Sequence, residues 1–191
     1  MKKLKLSLIL FLLLGIGYDS LAREGSSGVF VVREIKAADR IILTNGKTVR
    51  LVGIEAMESR PSERAKQQAA KWNISTEKVN ILGTFANAYV KNFIKGKPVL
   101  IEFDLKKENK NGQWNGYLFF KAPKDTVDSD FAKGVIVEKG KGQKYIFLNA
   151  LLLDQGYASL GIFPSGSMYE QFFYQLNSKQ DKEDALLGRG N

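Results

Sequence analysis

The chain has 191 residues, 44% of them hydrophobic, enough for one domain with a sizeable core. It contains neither cysteine nor histidine, which excludes thiol nucleophiles, disulfides, Cys/His zinc sites and imidazole general bases. Any chemistry must rest on carboxylates, Lys, Arg, Tyr, Ser, Thr or an oxygen-ligated metal, and the formal charge of +9 favours polyanions such as nucleic acid or anionic lipid surfaces.

The first residues have the form of an export signal. Lys2, Lys3 and Lys5 precede the apolar run LSLILFLLLGIG, and Ser20-Leu21-Ala22 fits a small-x-small cleavage site. Residues 1–22 are therefore read as a signal peptide, with a retained N-terminal anchor as the alternative. Residues 23–191 form a single domain, expected to be secreted or periplasmic. The apolar run is short for a membrane span and no other stretch qualifies.

Strands should begin at Val29, after the flexible lead-in from Arg23 to Gly28. VFVVREI is apolar and β-branched, and RIIL and VRLVGI flank Asn45-Gly46, a strong hairpin signal. A two-residue turn there sets Leu43 opposite Thr48, Ile41 opposite Arg50 and Asp39 opposite Val52. Asp39 and Arg50 then lie diagonally on one face. Glu55, five residues beyond Arg50, alternates to the other face unless Gly53 admits a bulge or the strand ends.

The polar segment SRPSERAKQQAAKWN has room for a short helix. Val79, Leu82, Ala86, Tyr89, Val90 and Phe93 recur at helical spacing, with Ser75 or Thr76 as N-cap and Gly96 beyond the end. This stripe reads as core. KPVLIEFDL is the next strand, KKENKNGQWNG a turn and YLFF the return. APKDTVDSDFAKG reads as a surface loop and VIVEKGKGQKYIF as a hairpin around Gly140 and Gly142. LNALLLDQG is a short helix closed by Gly156, and a polar, amphipathic terminal helix runs from Ser165 to Leu187. No internal repeat is present. The element order suggests a five-stranded β-barrel with attached helices, an architecture whose loops and open face commonly bind polyanionic chains.

Two stretches carry a resemblance. VRLVGIEAMES, preceded by KAADRIIL, is similar to the strand motif R-L-x-x-(I/V)-D-(T/A)-P-E of the staphylococcal nuclease (thermonuclease-like) family. LNALLLDQGYASL is similar to that family's structural N-x-x-L-(V/L)-x-x-G-x-A helix. The resemblance covers roughly Val29 to Leu187. It implies an α+β, predominantly β fold: a five-stranded OB-type β-barrel with about three helices. It also implies calcium-dependent hydrolysis of DNA or RNA by an exported monomer.

Residue by residue, the resemblance makes Asp39 and Glu55 metal ligands, with Ala56 lending its carbonyl. Glu58 becomes the group that positions or deprotonates the attacking water, and Arg50 a phosphate clamp. The chemistry is coherent. Calcium takes six to eight oxygens, a glutamate can serve as base, and a guanidinium forks onto phosphate.

The chain departs from the family pattern at several positions. Ala37-Ala38-Asp39-Arg40 stands where D-G-D-(T/S) is usual, Glu55 where aspartate is, and Met57 where proline is. Asn115 or Trp114 stands at the second phosphate arginine, and Ile162 is near the place of a substrate-contacting tyrosine. An uncharged Asn115 loses a clamp worth up to ~10⁵ in rate. A catalytically inactive OB-fold module, binding nucleic acid or an envelope partner, is the alternative to the nuclease.

Overall fold

The computed structural model describes residues 26–123, 135–140 and 142–186. The proposed leader, most of the APKDTVDSDFAKG loop and the last five residues lie outside the described residues. Nine strands and four helices are described.

The barrel closes through five strands: β1 (Ser27–Ala37), β2 (Arg40–Leu43), β3 (Thr48–Leu51), β5 (Pro98–Glu108) and β6 (Trp114–Lys121). Their order is β3-β2-β1-β5-β6, and a parallel pairing of β3 with β6 joins the ends. A closed sheet has no free edge along that seam. The architecture is α+β and predominantly β, an OB-like barrel with four helices where the sequence led us to expect about three. β8 (Gln143–Phe147) and β7 (Ile136–Lys139) extend the sheet from β6.

Alternation builds the core. Val99, Ile101 and Phe103 of β5 point inward, as do Ile41, Leu43, Val49 and Leu51 of the β2–β3 hairpin, all four fully buried. In β6 the run Tyr117 to Phe120 is buried on both faces, because β6 also pairs with β8 and packs against α3 (Leu148–Asp154). Asn149 of α3 fastens that contact. Its Nδ2 donates to Val52 O at 2.9 Å and its Oδ1 accepts from Leu118 N at 3.0 Å. The helix is buried and fastened to the barrel.

The β2–β3 register differs from expectation. Arg40 faces Arg50, Ile41 faces Val49 and Ile42 faces Thr48. Leu43 N donates to Lys47 O and Gly46 N to Leu43 O, so the loop is the three residues Thr44-Asn45-Gly46 rather than a two-residue turn. The core selects this register. A two-residue turn would set Ile41 opposite Arg50, whereas the observed one pairs Ile41 with Val49 inside the barrel. A one-residue slip reverses the face, so Arg50 is exposed while Asp39 is buried at 1% exposure. They do not share a face.

β3 ends at Leu51, and Gly53 redirects the chain. Its φ is +82°, a left-handed conformation, and a Cβ there would collide with the Phe163 ring. Beyond it Ile54–Ala56 forms β4, which leaves the barrel and pairs with β9 (Ala158–Leu160). This turn brings Glu55 round to the side of Asp39.

Helix α1 (Glu63–Lys71) forms in the polar segment that has room for a short helix. Ser62 caps it, its hydroxyl accepting from Ala65 N at 3.0 Å. Helix α2 (Thr76–Ile94), capped by Ser75, buries Val79, Gly83, Ala86, Val90 and Ile94. Leu82, expected in the core stripe, is 37% exposed, and Gly83 takes the packed position instead. The lead-in to α4 (Glu170–Leu186) is pinned to β5, where the Tyr169 hydroxyl donates to Glu102 and the Ser167 hydroxyl to Asp104.

Candidate functional site

The acids named from sequence converge. Asp39 sits in the turn between β1 and β2, Glu55 and Ala56 on β4, and Glu58 two residues past that strand. The group at their meeting point is the guanidinium of Arg64, from the first turn of α1. Its Nη2 donates to Asp39 Oδ2 at 2.9 Å and to Ala56 O at 3.3 Å. Its Nη1 donates to Glu58 Oε1 at 2.7 Å, and its Nε lies 3.9 Å from Glu55 Oε1.

Two further cations complete the cluster. Arg40 donates from Nε to Asp39 Oδ1 at 3.3 Å and from Nη2 to Glu58 Oε1. Lys71 donates to Glu55 Oε2 at 3.1 Å. Gln68 ties the backbone in, its Oε1 accepting from Glu58 N at 2.8 Å. Its Nε2 donates to Ala56 O at 2.9 Å and Glu55 Oε1 at 3.3 Å. Arg64, Gln68 and Lys71 stand at i, i+4 and i+7, one stripe of α1. Sequence reasoning passed over this stripe, although its polar spacing after a Ser N-cap was the available signal.

Three carboxylates thus meet three cations, and the cluster is formally neutral. Asp39, with its side chain 2% exposed, has both oxygens satisfied, and Ala56 N adds a contact to Oδ2 at 3.4 Å. A buried carboxylate requires such partners. Burial works against the charge on Glu55, but hydrogen bonds from Lys71 and Gln68 and the charges of Lys71 and Arg64 hold its pKa below the ordinary value. Burial likewise disfavours the Arg64 cation. The charge and hydrogen bond of Asp39, with Glu58 and Glu55, outweigh it and raise its pKa.

The donors are hard oxygens of the kind calcium takes. Their arrangement nevertheless fits a planar fork: three different nitrogens of Arg64 face them, and Glu58 Oε1 serves a second guanidinium. No group of three or more His, Cys, Asp or Glu among the described residues is arranged to hold a metal ion. As arranged, Asp39, Glu55 and Ala56 hold Arg64 and do not fit calcium.

Arg50 and Asn115 are brought together separately. They are register partners on β3 and β6, and Arg40 faces Arg50 from β2. Cross-strand partners share a face, so Arg40, Arg50 and Asn115 stand in a row. Arg40 is committed to the acids. Arg50 is exposed and takes part in no ion pair among the described residues. Asn115 Nδ2 donates to Lys106 O at 3.0 Å. Beside them Trp114 packs edge-on to Phe30 and Phe103, with Lys107 Nζ 4.6 Å and Lys47 Nζ 5.7 Å from its ring centre. The indole packs under the hairpin, with cations over its face. Ile162 is 91% exposed on the loop after β9 and forms no part of the site.

No helix among the described residues is long and apolar enough to cross a membrane. No known protein family matches the chain, and no curated protein matches it either.

Proposed function

We propose that the chain is an OB-type module that binds the phosphate backbone of flexible nucleic acid, single-stranded DNA or RNA, without cutting it. In this reading it is an exported relative of the staphylococcal nuclease family whose acid site holds its own guanidinium. The observation that carries it is Arg50: an exposed guanidinium without an ion pair among the described residues, beside the amide of Asn115. Arginine forks onto phosphate oxygens, and a neighbouring amide adds an uncharged donor. Lys47 just before β3, Lys106 and Lys107 on β5, and the +9 charge supply sequence-independent attraction.

The test is fluorescence anisotropy of a labelled oligo-dT between 50 and 200 mM salt. Affinity should fall steeply with salt. Arg50→Ala should weaken binding about tenfold and reduce the magnitude of the salt slope by about 0.7, with unfolding unchanged. Absence of binding at 50 mM salt, or an Arg50→Ala variant that binds like the parent, overturns the reading.

A second reading, a calcium-dependent phosphodiesterase, draws on the convergence of Asp39, Glu55, Glu58 and the Ala56 carbonyl. It requires Arg64 to withdraw from those oxygens. Cleavage of single-stranded DNA with calcium that stops with chelator would favour it over binding alone.

A further inference from the structure

We infer that Arg64 is a resident cation: it takes the place of a divalent metal ion in the acid cluster and makes the folded protein independent of metal. This stands on geometry and does not depend on nucleic-acid binding. The guanidinium touches Asp39 Oδ2, Ala56 O and Glu58 Oε1 within 3.3 Å. These are the oxygens that a hard ion at the same centre would share.

Charge points the same way. With Arg40, Arg64 and Lys71 against Asp39, Glu55 and Glu58, an added dication meets no net attraction, and its nearest neighbour is a guanidinium held in place by two short contacts. The cation comes from the first turn of α1, so it also fastens that helix to β4. Gln68 makes a second bond to the same Ala56 carbonyl one turn later. Removal of the guanidinium leaves three carboxylates against two cations around a carbonyl bonded by Gln68 alone, and the cluster should then accept a dication.

The full chain and Arg64→Ala are melted in calcium chloride, magnesium chloride or EDTA, with calcium binding followed by isothermal titration calorimetry. The parent should show one melting temperature in all three and no calorimetric heat. Arg64→Ala should melt lower in EDTA and recover by ~5 °C or more at saturating calcium. Should Arg64→Ala not fold, Arg64→Gln, which keeps an amide donor and loses the charge, is measured in the same way. A parent that calcium stabilises and EDTA destabilises overturns the inference. So does a folded Arg64 variant indifferent to calcium. Either failure leaves the oligo-dT result unaffected, so the two readings fall separately.

Discussion

Gly83→Ala is expected to destabilise this protein, although the same change in an ordinary helix stabilises it. Gly83 lies mid-way along α2 and is buried. A Cβ there would stand 2.5 Å from the carbonyl carbon and oxygen of Glu58 and 2.6 Å from Met57 O. These are backbone atoms, so no rotamer change relieves the contact, and the segment carrying Glu58 must move. In an exposed helix interior, glycine to alanine gains about 1 kcal/mol. Overpacking costs about 1–3 kcal/mol. Displacement of Glu58 also loosens its bonds to Arg64, Arg40 and Gln68, and a hydrogen bond to a charged group contributes about 1.5–3 kcal/mol. The losses exceed the gain, leaving a net cost of about 1.5–5 kcal/mol. Urea unfolding of the parent and Gly83→Ala measures it, with an unchanged m-value marking a native-state effect. A variant more stable than the parent by about 1 kcal/mol would refute the close approach of α2 to the Glu58 segment, and with it the rigidity ascribed to the cluster.

Two further outcomes follow from the same geometry. Because the folded-state pKa of Glu55 is lowered by Lys71, Gln68 and Arg64 against burial, its stabilisation is present above the ordinary glutamate range and lost as pH falls through the folded value. The stability difference between the parent and Glu55→Gln should therefore shrink on acidification below about pH 4.3; a difference constant from pH 7 to pH 3 in urea melts would contradict it. Asn149→Ala should cost about 2–5 kcal/mol, since it leaves Val52 O and Leu118 N buried without that partner; a loss below about 1 kcal/mol in urea unfolding would show that the α3 cross-link is dispensable.

The barrel was legible because its strands obey a period of two between strong turn signals, and because Asn45-Gly46 marks a hairpin whichever loop it forms. The loop length was not legible from the turn alone. Asn-Gly serves two-residue and three-residue loops, and only the burial of Ile41 and Val49 together decides between them. β4 and β9 are three residues each, too short for any periodic signal. Their pairing joins residues about a hundred positions apart. The convergence of Asp39, Glu55 and Glu58 was expected from the resemblance alone, since spacing set Glu55 on the face opposite Arg50 unless Gly53 admitted a bulge. The group between them was not. Arg64 lies in a segment without an apolar stripe, and its role depends on how α1 is set against α2 by the small packing of Ala65, Ala69 and Val79.

The electrostatics of the two halves of the site bear on each other. Arg40 stands in the outer row with Arg50 and Asn115, yet its charge is spent on Asp39 and Glu58. An anion arriving at that row meets Arg50 as the guanidinium without an ion pair among the described residues, backed by a neutral cluster. Hydrolysis needs more than attraction: charge developing on phosphorus must be met by preorganised donors that bind it better than the ground state. Beside Arg50 the row offers the Asn115 amide, already donating to Lys106 O. Behind it, Glu58 Oε1 is already occupied by two guanidinium donors, from Arg40 and Arg64. On the proposed reading, this row holds a phosphodiester and does not activate water against it. The same ion pairs that neutralise the acids make α1 a fixed wall of the site.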